Sequence, residues 1–128
     1  VLAVLMPDSF VTASNVGATL IAPQVSIGQA LLIEGVLTFF LALTVFGTAV
    51  HPAAPKSMAA FAIGSVLIVE ILVAGPLTGA SMNPARSLGP ALVSGAWVDN
   101  WVYWVAPAIG GLLAGLVAEY VFIRGHKE

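Results

Sequence analysis

The residues best suited to chemistry in this chain form one polar stretch, 78–87, with the sequence TGASMNPARS. It lies between two long apolar runs, and it contains Arg86, the only arginine that is not near a chain end. The amide of Asn83 and the guanidinium of Arg86 are hydrogen-bond donors. Polar groups in apolar surroundings are unfavourable unless they line a water-filled or protein-lined cavity. The pattern therefore indicates a site that binds or passes small hydrogen-bonding molecules.

A helix is expected to begin inside this stretch. Asn83 is a favourable N-cap residue, and Pro84 is favoured at the first helical position. A helix that runs from there to Val93 would be ~15 Å long, about half of a ~30 Å hydrocarbon core. Because long apolar runs flank it on both sides, residues 77–93 are predicted to form a re-entrant loop and half-helix. The N-terminus of that helix would point at the membrane midplane.

This geometry has electrostatic consequences. A helix N-terminus carries about half a positive charge, and beside Arg86 it would repel cations. The amide of Asn83 can donate hydrogen bonds to a passing oxygen atom. The backbone carbonyls of Gly79, Ala80 and Ser81 can accept them. A wall of donors facing a wall of acceptors passes small neutral solutes and excludes ions.

Composition places the chain in the membrane class. Of its 128 residues, 59% are hydrophobic and 8% are charged, and the mean hydropathy is +1.04. A soluble domain carries about 25% charged residues. No basic patch interleaved with aromatics is present, so no nucleic-acid binding is expected. No nucleophile–base pair, metal-ligand cluster or phosphate-binding loop is evident, so we predict neither an enzyme nor a cofactor.

Three apolar runs are long enough to cross a membrane as helices, each of which needs ~20 residues. They are residues 25–50, 57–75 and 100–123. Ser26 and Ser57 are candidate N-caps of the first two, and Pro76 is expected to end the second. Residues 1–24 are interpreted as the end of a preceding span and a loop on the outer (extracellular or periplasmic) side. The predicted fold class is all-α: three transmembrane helices and one re-entrant half-helix.

Small residues recur at helical spacing in the third span. Ala106, Gly110, Ala114 and Ala118 form one stripe, and Gly111 and Gly115 form a GxxxG beside it. Such faces let two helices approach closely in lipid. They predict tight helix packing and carry no information about transport.

The few charges predict an orientation. Lys56, Arg124 and Lys127 follow the first and third spans, so alternating spans place all of them on one face. The positive-inside rule makes that face cytoplasmic, and the C-terminus with it. Asp8 and Asp99 would then lie on the opposite face.

Two longer segments of the sequence resemble one known family. The segment GASMNPARSLGPALVSG, followed by a Trp-rich start of a span, resembles the second Asn-Pro-Ala loop of the aquaporin (major intrinsic protein) family. The segment NWVYWVAPAIGGLLAGLVAEYVF resembles the sixth helix of that family, and residues 25–75 resemble its fourth and fifth helices. The resemblance implies that residues 25–128 are the C-terminal half of an α-helical channel. In that family two halves related by a pseudo-two-fold axis enclose each pore, and pores usually assemble as tetramers.

The geometry of the loop and the resemblance together predict the pore and selectivity positions. They are Ile71, Gly79, Ala80, Ser81, Asn83, Ala85 and Arg86. Asn83 would be the central donor, and Arg86 the arginine of the selectivity filter. Many water-selective members have His where this chain has Ile71. The pair Ile71 and Ala80 instead resembles tonoplast intrinsic proteins of plants, and the overall pattern also resembles bacterial members.

Two residues are expected to support the pore loop. Glu34 resembles the helix-four glutamate that accepts hydrogen bonds from the backbone of the re-entrant loop. Packing alone, or a proton relay, is the alternative role for an intramembrane carboxyl. Pro84 would fix the start of the half-helix. Glu70 has no partner that the sequence identifies.

The predicted function is a passive channel for water, with ammonia, urea and hydrogen peroxide as further candidate solutes, that excludes ions and protons. The alternative is a non-conducting membrane fragment or assembly subunit that needs the missing N-terminal half. Expected partners are membrane lipid, the complementary half or a second copy, and further complete pores in a homotetramer. The chain is expected to be an integral membrane protein, located in the inner (plasma) membrane if the source is bacterial.

Overall fold

The structure, a computed structural model, describes residues 2–13 and 15–123. In the described residues every regular element is helical. The α-helices are α1 (Leu2–Leu5), α2 (Asp8–Ala13), α3 (Ile27–Val45), α4 (Ala59–Thr78), α5 (Pro84–Ser94) and α6 (Val102–Ala118). Two 3₁₀ turns cover Asn15–Gly17 and Lys56–Met58. Two wider π-helical turns, Phe46–Val50 and Glu119–Ile123, prolong α3 and α6.

The predicted fold class is confirmed. The described residues contain 3 helices long and apolar enough to cross a membrane, with mean hydropathies of 2.1, 2.2 and 1.7. They are Ile27–Val50, Lys56–Thr78 and Val102–Phe122. Between the second and third lies α5, which has 11 residues and is therefore too short to span, at ~1.5 Å per residue.

Two predicted helix starts have the expected caps. The backbone N–H of Gln29 donates to Ser26 Oγ over 3.3 Å, and the N–H of Ser26 donates to Gln29 Oε1 over 2.8 Å. This reciprocal pair is a capping box, which satisfies two donors that the first helical turn leaves unpaired. At α5, Asn83 is the N-cap, Pro84 follows it, and Asn83 Oδ1 accepts from the N–H of Ala85 over 2.9 Å.

The cap predicted at Ser57 is wrong. Ser57 lies inside the 3₁₀ turn, and the residue that caps α4 is Met58, which makes no side-chain cap bond. The N–H of Met58 donates to the carbonyl of Pro55 over 2.9 Å. Because the 3₁₀ turn pairs this N–H with a backbone carbonyl, α4 begins without a side-chain hydroxyl as the acceptor.

Pro76 does not end the second span, contrary to the prediction. The helix continues to Thr78 and ends at Gly79, whose φ of 82° is left-handed and whose N–H donates to Gly75 O over 3.0 Å. The backbone stays helical for two residues beyond Pro76, and the left-handed conformation of Gly79 then ends the helix. The last carbonyl of the helix, that of Thr78, accepts from Tyr103 Oη over 2.6 Å.

The N-terminal segment contains more structure than the predicted loop. Helix α2 begins at Asp8, a carboxylate in the first turn, where the helix dipole favours negative charge. The chain then crosses to the end of α4, where the N–H of Ala22 donates to Leu77 O over 2.8 Å. This segment therefore packs against the polar stretch. Arg124, His126 and Lys127 lie outside the described residues, so the orientation deduced from the charges stays a prediction.

Helices α3 and α6 cross closely in the described structure, and the crossing depends on glycine. A Cβ atom added to Gly110 would lie 2.2 Å from the backbone oxygen of Gly35. The predicted small-residue stripe is confirmed as the packed face, since Ala106, Gly110, Ala114 and Ala118 are all buried. A Cβ atom added to Gly111, on the neighbouring stripe, would have no atom of another described helix within 4 Å. Close approach therefore requires one particular glycine.

We predict that Gly110→Ala destabilises the protein by ~1–3 kcal/mol, because the methyl group would force the two backbones apart. Gly111→Ala is the matched control, and we expect it to be neutral or slightly stabilising, since alanine favours the helix by up to ~1 kcal/mol. Unfolding of the detergent-solubilised protein, followed by circular dichroism, measures both. Equal stabilities of the two variants would contradict the crossing described here.

Candidate functional site

The polar stretch folds into a loop that reverses the chain between α4 and α5. Three of its residues have left-handed backbone: Gly79 at φ 82°, Ala80 at φ 44° and Met82 at φ 53°. Only glycine adopts this conformation without steric cost, and a residue with a side chain does so where its surroundings hold it there. A Cβ at Gly79 would also come within 2.9 Å of the Cα of Thr19. The loop conformation therefore needs contacts from elsewhere in the chain.

Glu34 on α3 supplies those contacts. Its carboxyl group is fully buried, and its Oε1 accepts from Thr78 Oγ1 over 2.7 Å and from the N–H of Ser81 over 2.9 Å. Its Oε2 accepts from the N–H of Met82 over 2.8 Å. Hydrogen bonds to an ionised acceptor are roughly twice as strong as those between neutral groups. Glu34 thus makes the contacts that were expected of it and fixes the two backbone amides in the middle of the loop.

A chain of hydroxyl groups holds the other side of the loop. Ser81 Oγ donates to Asn83 O over 2.8 Å, and it lies 2.6 Å from Ser87 Oγ, which lies 2.6 Å from Thr19 Oγ1. Each hydroxyl has one proton, so Thr19 donates to Ser87 and Ser87 donates to Ser81. Sequence reasoning missed this arrangement, because nothing local to Thr19 shows that it contacts a residue 68 positions away.

Arg86 lies on the first turn of α5 and reaches back over the loop. Its Nη1 donates to Gly79 O over 3.0 Å and also to Ala80 O. These are two of the three backbone carbonyls that were expected to accept hydrogen bonds from a solute. A carbonyl oxygen has two lone pairs, so each can still accept from a second donor. The guanidinium is thereby fixed in place while the residue stays exposed.

The predicted site residues differ in exposure. Those on the surface are Ile71, Asn83, Ala85 and Arg86, Gly79 is partly buried, and Ala80 and Ser81 are buried. Since Asn83 Oδ1 accepts from the backbone, its two N–H bonds remain as donors toward the exposed side. The tip of α5 therefore presents an amide and a guanidinium together. In the described part of the chain, no group of three or more His, Cys, Asp or Glu could hold a metal ion.

An apolar wall continues from this tip along α3 and α4. Met82 packs with Ala74 and Ala80, and the side chains around them are Ile33, Leu37, Leu41 and Leu67. Below Met82 lies a groove of ≈ 290 Å³, lined by Thr38, Leu41, Ala42, Val45, Phe46 and Met82. The polar tip thus stands at the end of an apolar groove, and sequence reasoning identified the tip without the groove.

We predict that Glu34→Gln loosens the loop. Glutamine has one acceptor oxygen and one donor amide, so one of the two loop N–H groups loses its acceptor. An orphaned buried N–H costs ~1–3 kcal/mol, which should speed hydrogen exchange in residues 79–83 about tenfold. Hydrogen exchange followed by mass spectrometry measures the exchange rate of these residues.

The matched control for this experiment is Glu70→Gln, the same change at a buried carboxyl of α4 that does not bond to the loop. We expect unchanged exchange in residues 79–83 there. If Glu34→Gln also left exchange unchanged, the carboxylate would not be what holds the loop.

Comparison with known proteins agrees with this geometry. The family described as "Major intrinsic protein" matches residues 1–118. A "Probable aquaporin TIP-type" of Medicago sativa is 50% identical over 121 residues, which are 93% of this chain and 49% of that protein. "Aquaporin TIP4-4" of Zea mays is 45% identical over 124 residues, 93% of this chain and 49% of that protein. "Probable aquaporin TIP3-2" of Arabidopsis thaliana is 49% identical over 110 residues, 84% of this chain and 41% of that protein.

These relatives narrow the resemblance seen in the sequence. They are plant proteins of the TIP type, as the pair Ile71 and Ala80 suggested, and they give no support to a bacterial source or a bacterial inner membrane. The chain spans about half the length of these relatives. Its apolar helices and its TIP-type relatives identify it as an integral membrane protein. With the family match extending over most of its length, this chain belongs to the major intrinsic protein family.

Proposed function

We propose that this chain is the C-terminal half of a passive channel for water and other small neutral solutes. The observation that carries the proposal is the tip of α5, where the amide of Asn83 and the guanidinium of Arg86 are both exposed. The loop behind them is fixed by the carboxylate of Glu34. A rigid set of donors next to an apolar groove selects solutes by hydrogen bonding and rejects those that need a full hydration shell.

Exclusion of ions follows from the charge at this tip. The first turn of α5 carries the positive end of a helix dipole, about half an elementary charge. No acidic residue lies in that first turn to offset it. The fixed charge of Arg86 adds to it in the same place. Cations, including hydronium, would therefore meet a barrier that a neutral molecule does not.

The names of the relatives and the side chain of Ile71 suggest which solutes pass. The relatives are named as aquaporins, which favours water as the principal solute. Ile71, where many water-selective members have a polar histidine, presents an apolar side chain with 38% of its surface exposed. An apolar constriction is less selective for water, so ammonia, urea and hydrogen peroxide are the further solutes that we propose.

The half-site must be closed by another part of the protein. Asn83, Ala85 and Arg86 are exposed at the start of α5, and a pore needs a wall facing them. We propose that the complementary N-terminal half supplies this wall, that complete pores assemble as homotetramers in lipid, and that Lys56 and the C-terminus lie on the cytoplasmic side. The competing proposal, a non-conducting subunit, is favoured only by this open side.

Osmotic swelling separates the two proposals. We expect proteoliposomes that contain the complete channel, this chain together with its complementary half, to swell at least about tenfold faster than protein-free liposomes, because a pore removes the barrier to water in hydrocarbon. Liposomes that contain this half alone are the control, and we expect them to swell at the protein-free rate. A complete channel that swelled no faster than protein-free liposomes would leave only the structural role.

We predict that Arg86→Val in the complete channel raises its permeability to cations and larger solutes about tenfold or more relative to water. The change removes the fixed charge and the group that narrows the site, and each ~1.4 kcal/mol of barrier is worth a factor of ten. Lys56→Val, which removes one positive charge at the start of the second span, is the matched control. Conductance and solute-uptake measurements on proteoliposomes give the result, and an unchanged solute profile would remove Arg86 from the filter.

A further inference from the structure

A segment that precedes α3 lies behind the tip of α5, and the proposed pore does not use it. Thr19 in this segment is 5% exposed, although it lies in a stretch without regular secondary structure. The N–H of Ala22 donates to Leu77 O over 2.8 Å, which joins the same stretch to the end of α4. Buried polar groups are nearly always paired. The partners of Thr19 therefore indicate what this segment does.

Thr19 contacts both sides of the chain reversal between α4 and α5. It packs on Gly79 so closely that a Cβ added there would lie 2.9 Å from Thr19 Cα and 3.0 Å from its Cγ2. Its hydroxyl lies 2.6 Å from Ser87 Oγ on α5. Arg86, next to Ser87, closes the ring, because its Nη1 donates to Gly79 O over 3.0 Å. Thr19 thus contacts both of the segments that the guanidinium joins.

The hydroxyl of Thr19 also reaches Asn83, through two serines. Thr19 donates to Ser87 and Ser87 donates to Ser81, over 2.6 Å each, and Ser81 Oγ donates to Asn83 O over 2.8 Å. The N–H of Ser87 donates to the same carbonyl over 3.3 Å, which is longer than an ordinary N–H···O bond. Hydrogen bonds in a chain polarise and strengthen one another. Removal of the first donor should therefore weaken the last bond, which orients the backbone of Asn83.

The backbone upstream of Thr19 adopts a conformation that needs support. Asn15 has a φ of 45° and Val16 a φ of 59°, and a β-branched residue rarely adopts such a left-handed conformation. The 3₁₀ turn that contains both residues packs against α5. Strained backbone persists where the surrounding structure holds it. The segment and α5 therefore support each other, and Thr19 provides a hydrogen bond between them.

We propose that Thr19 is a positioning residue of the channel. Through Ser87 and Ser81 its hydroxyl fixes the orientation of Asn83, and through Ser87 and Gly79 it fixes the position of Arg86. Because Thr19 is buried, it acts on a passing solute only through these residues. A tip that moves less discriminates better against neutral solutes larger than water, such as urea. This effect on solutes rests on the proposed channel function, whereas the rigidity of the tip does not.

Two substitutions of Thr19 separate the role of its hydroxyl from that of its packing. Thr19→Val keeps the shape that packs on Gly79 and removes the hydroxyl. Thr19→Ser keeps the hydroxyl and removes the methyl group that contacts Gly79. If the hydroxyl positions the tip, Thr19→Val is the damaging change and Thr19→Ser restores the behaviour of the unmodified channel.

The two variants are compared in the complete channel in lipid. We expect Thr19→Val to speed hydrogen exchange of the Ala85 and Ser87 amides, both of which bond to Asn83, about threefold. The ratio of urea to water permeability should rise by a similar factor. Threefold corresponds to an average interhelical hydrogen bond in membranes. No effect of Thr19→Val, or an equally large effect of Thr19→Ser, would overturn the proposal.

Thr44→Val is the matched control, since it removes a hydroxyl that donates to Phe40 O within α3. We expect the exchange of Ala85 and Ser87 and the solute ratio to stay unchanged there. Ser87→Ala breaks the hydroxyl chain at its next member, so Thr19→Val combined with Ser87→Ala should have no larger effect than the stronger single variant. Additive effects would show that Thr19 does not act through Ser87 and would overturn the proposal.

The exchange measurement distinguishes a failure of this proposal from a failure of the proposed channel function. Hydrogen exchange reports on the tip whether or not the channel conducts. Faster exchange in Thr19→Val, with an unmodified channel that does not swell liposomes, would support the positioning role and refute the channel function. Unchanged exchange in Thr19→Val, with an unmodified channel that conducts water, would refute the positioning role alone.

Discussion

The hydrogen bonds from the backbone of the loop between α4 and α5 to the Glu34 carboxyl are the interaction on which the rest of this structure depends. A buried backbone N–H without an acceptor is costly, and most costly where no water can replace the acceptor. Glu34 accepts from Ser81 and Met82, the residues in which the backbone reverses. Without an acceptor at this point, the left-handed backbone of Ala80 and Met82 would have nothing to hold it. The tip of α5 would then have no fixed position.

The position of Glu34 is set in turn by helix packing. Its neighbour Gly35 meets Gly110 of α6 at a close crossing, where no side chain fits between the backbones. Tyr103 on α6 also donates to the carbonyl of Thr78, at the end of α4. Helix α6 therefore fixes both the helix that carries the acceptor and the helix from which the loop departs. A change at Gly110, far along the chain from the loop, should reach Asn83 and Arg86 by this route.

Much of this arrangement could be predicted from the sequence, because its signals are local. The three spans follow from apolar length, and the start of α5 follows from the adjacent Asn83 and Pro84. The cap predicted at Ser57 was wrong, because a backbone hydrogen bond within the 3₁₀ turn takes its place. The helix end predicted at Pro76 was wrong, because α4 continues to the left-handed Gly79. The contact of Thr19 with Ser87 could not be predicted, because it joins segments that only the folded chain brings together.

The two buried carboxyls show why a membrane helix keeps such a costly group. Each lies in an apolar span, yet Glu34 meets three donors from its own chain and Glu70 meets none among the described residues. A carboxyl that stabilised nothing could be replaced by leucine with a gain in stability, since burying a polar group is unfavourable without partners. The loop explains why Glu34 is kept, because the backbone amides of Ser81 and Met82 need an acceptor there.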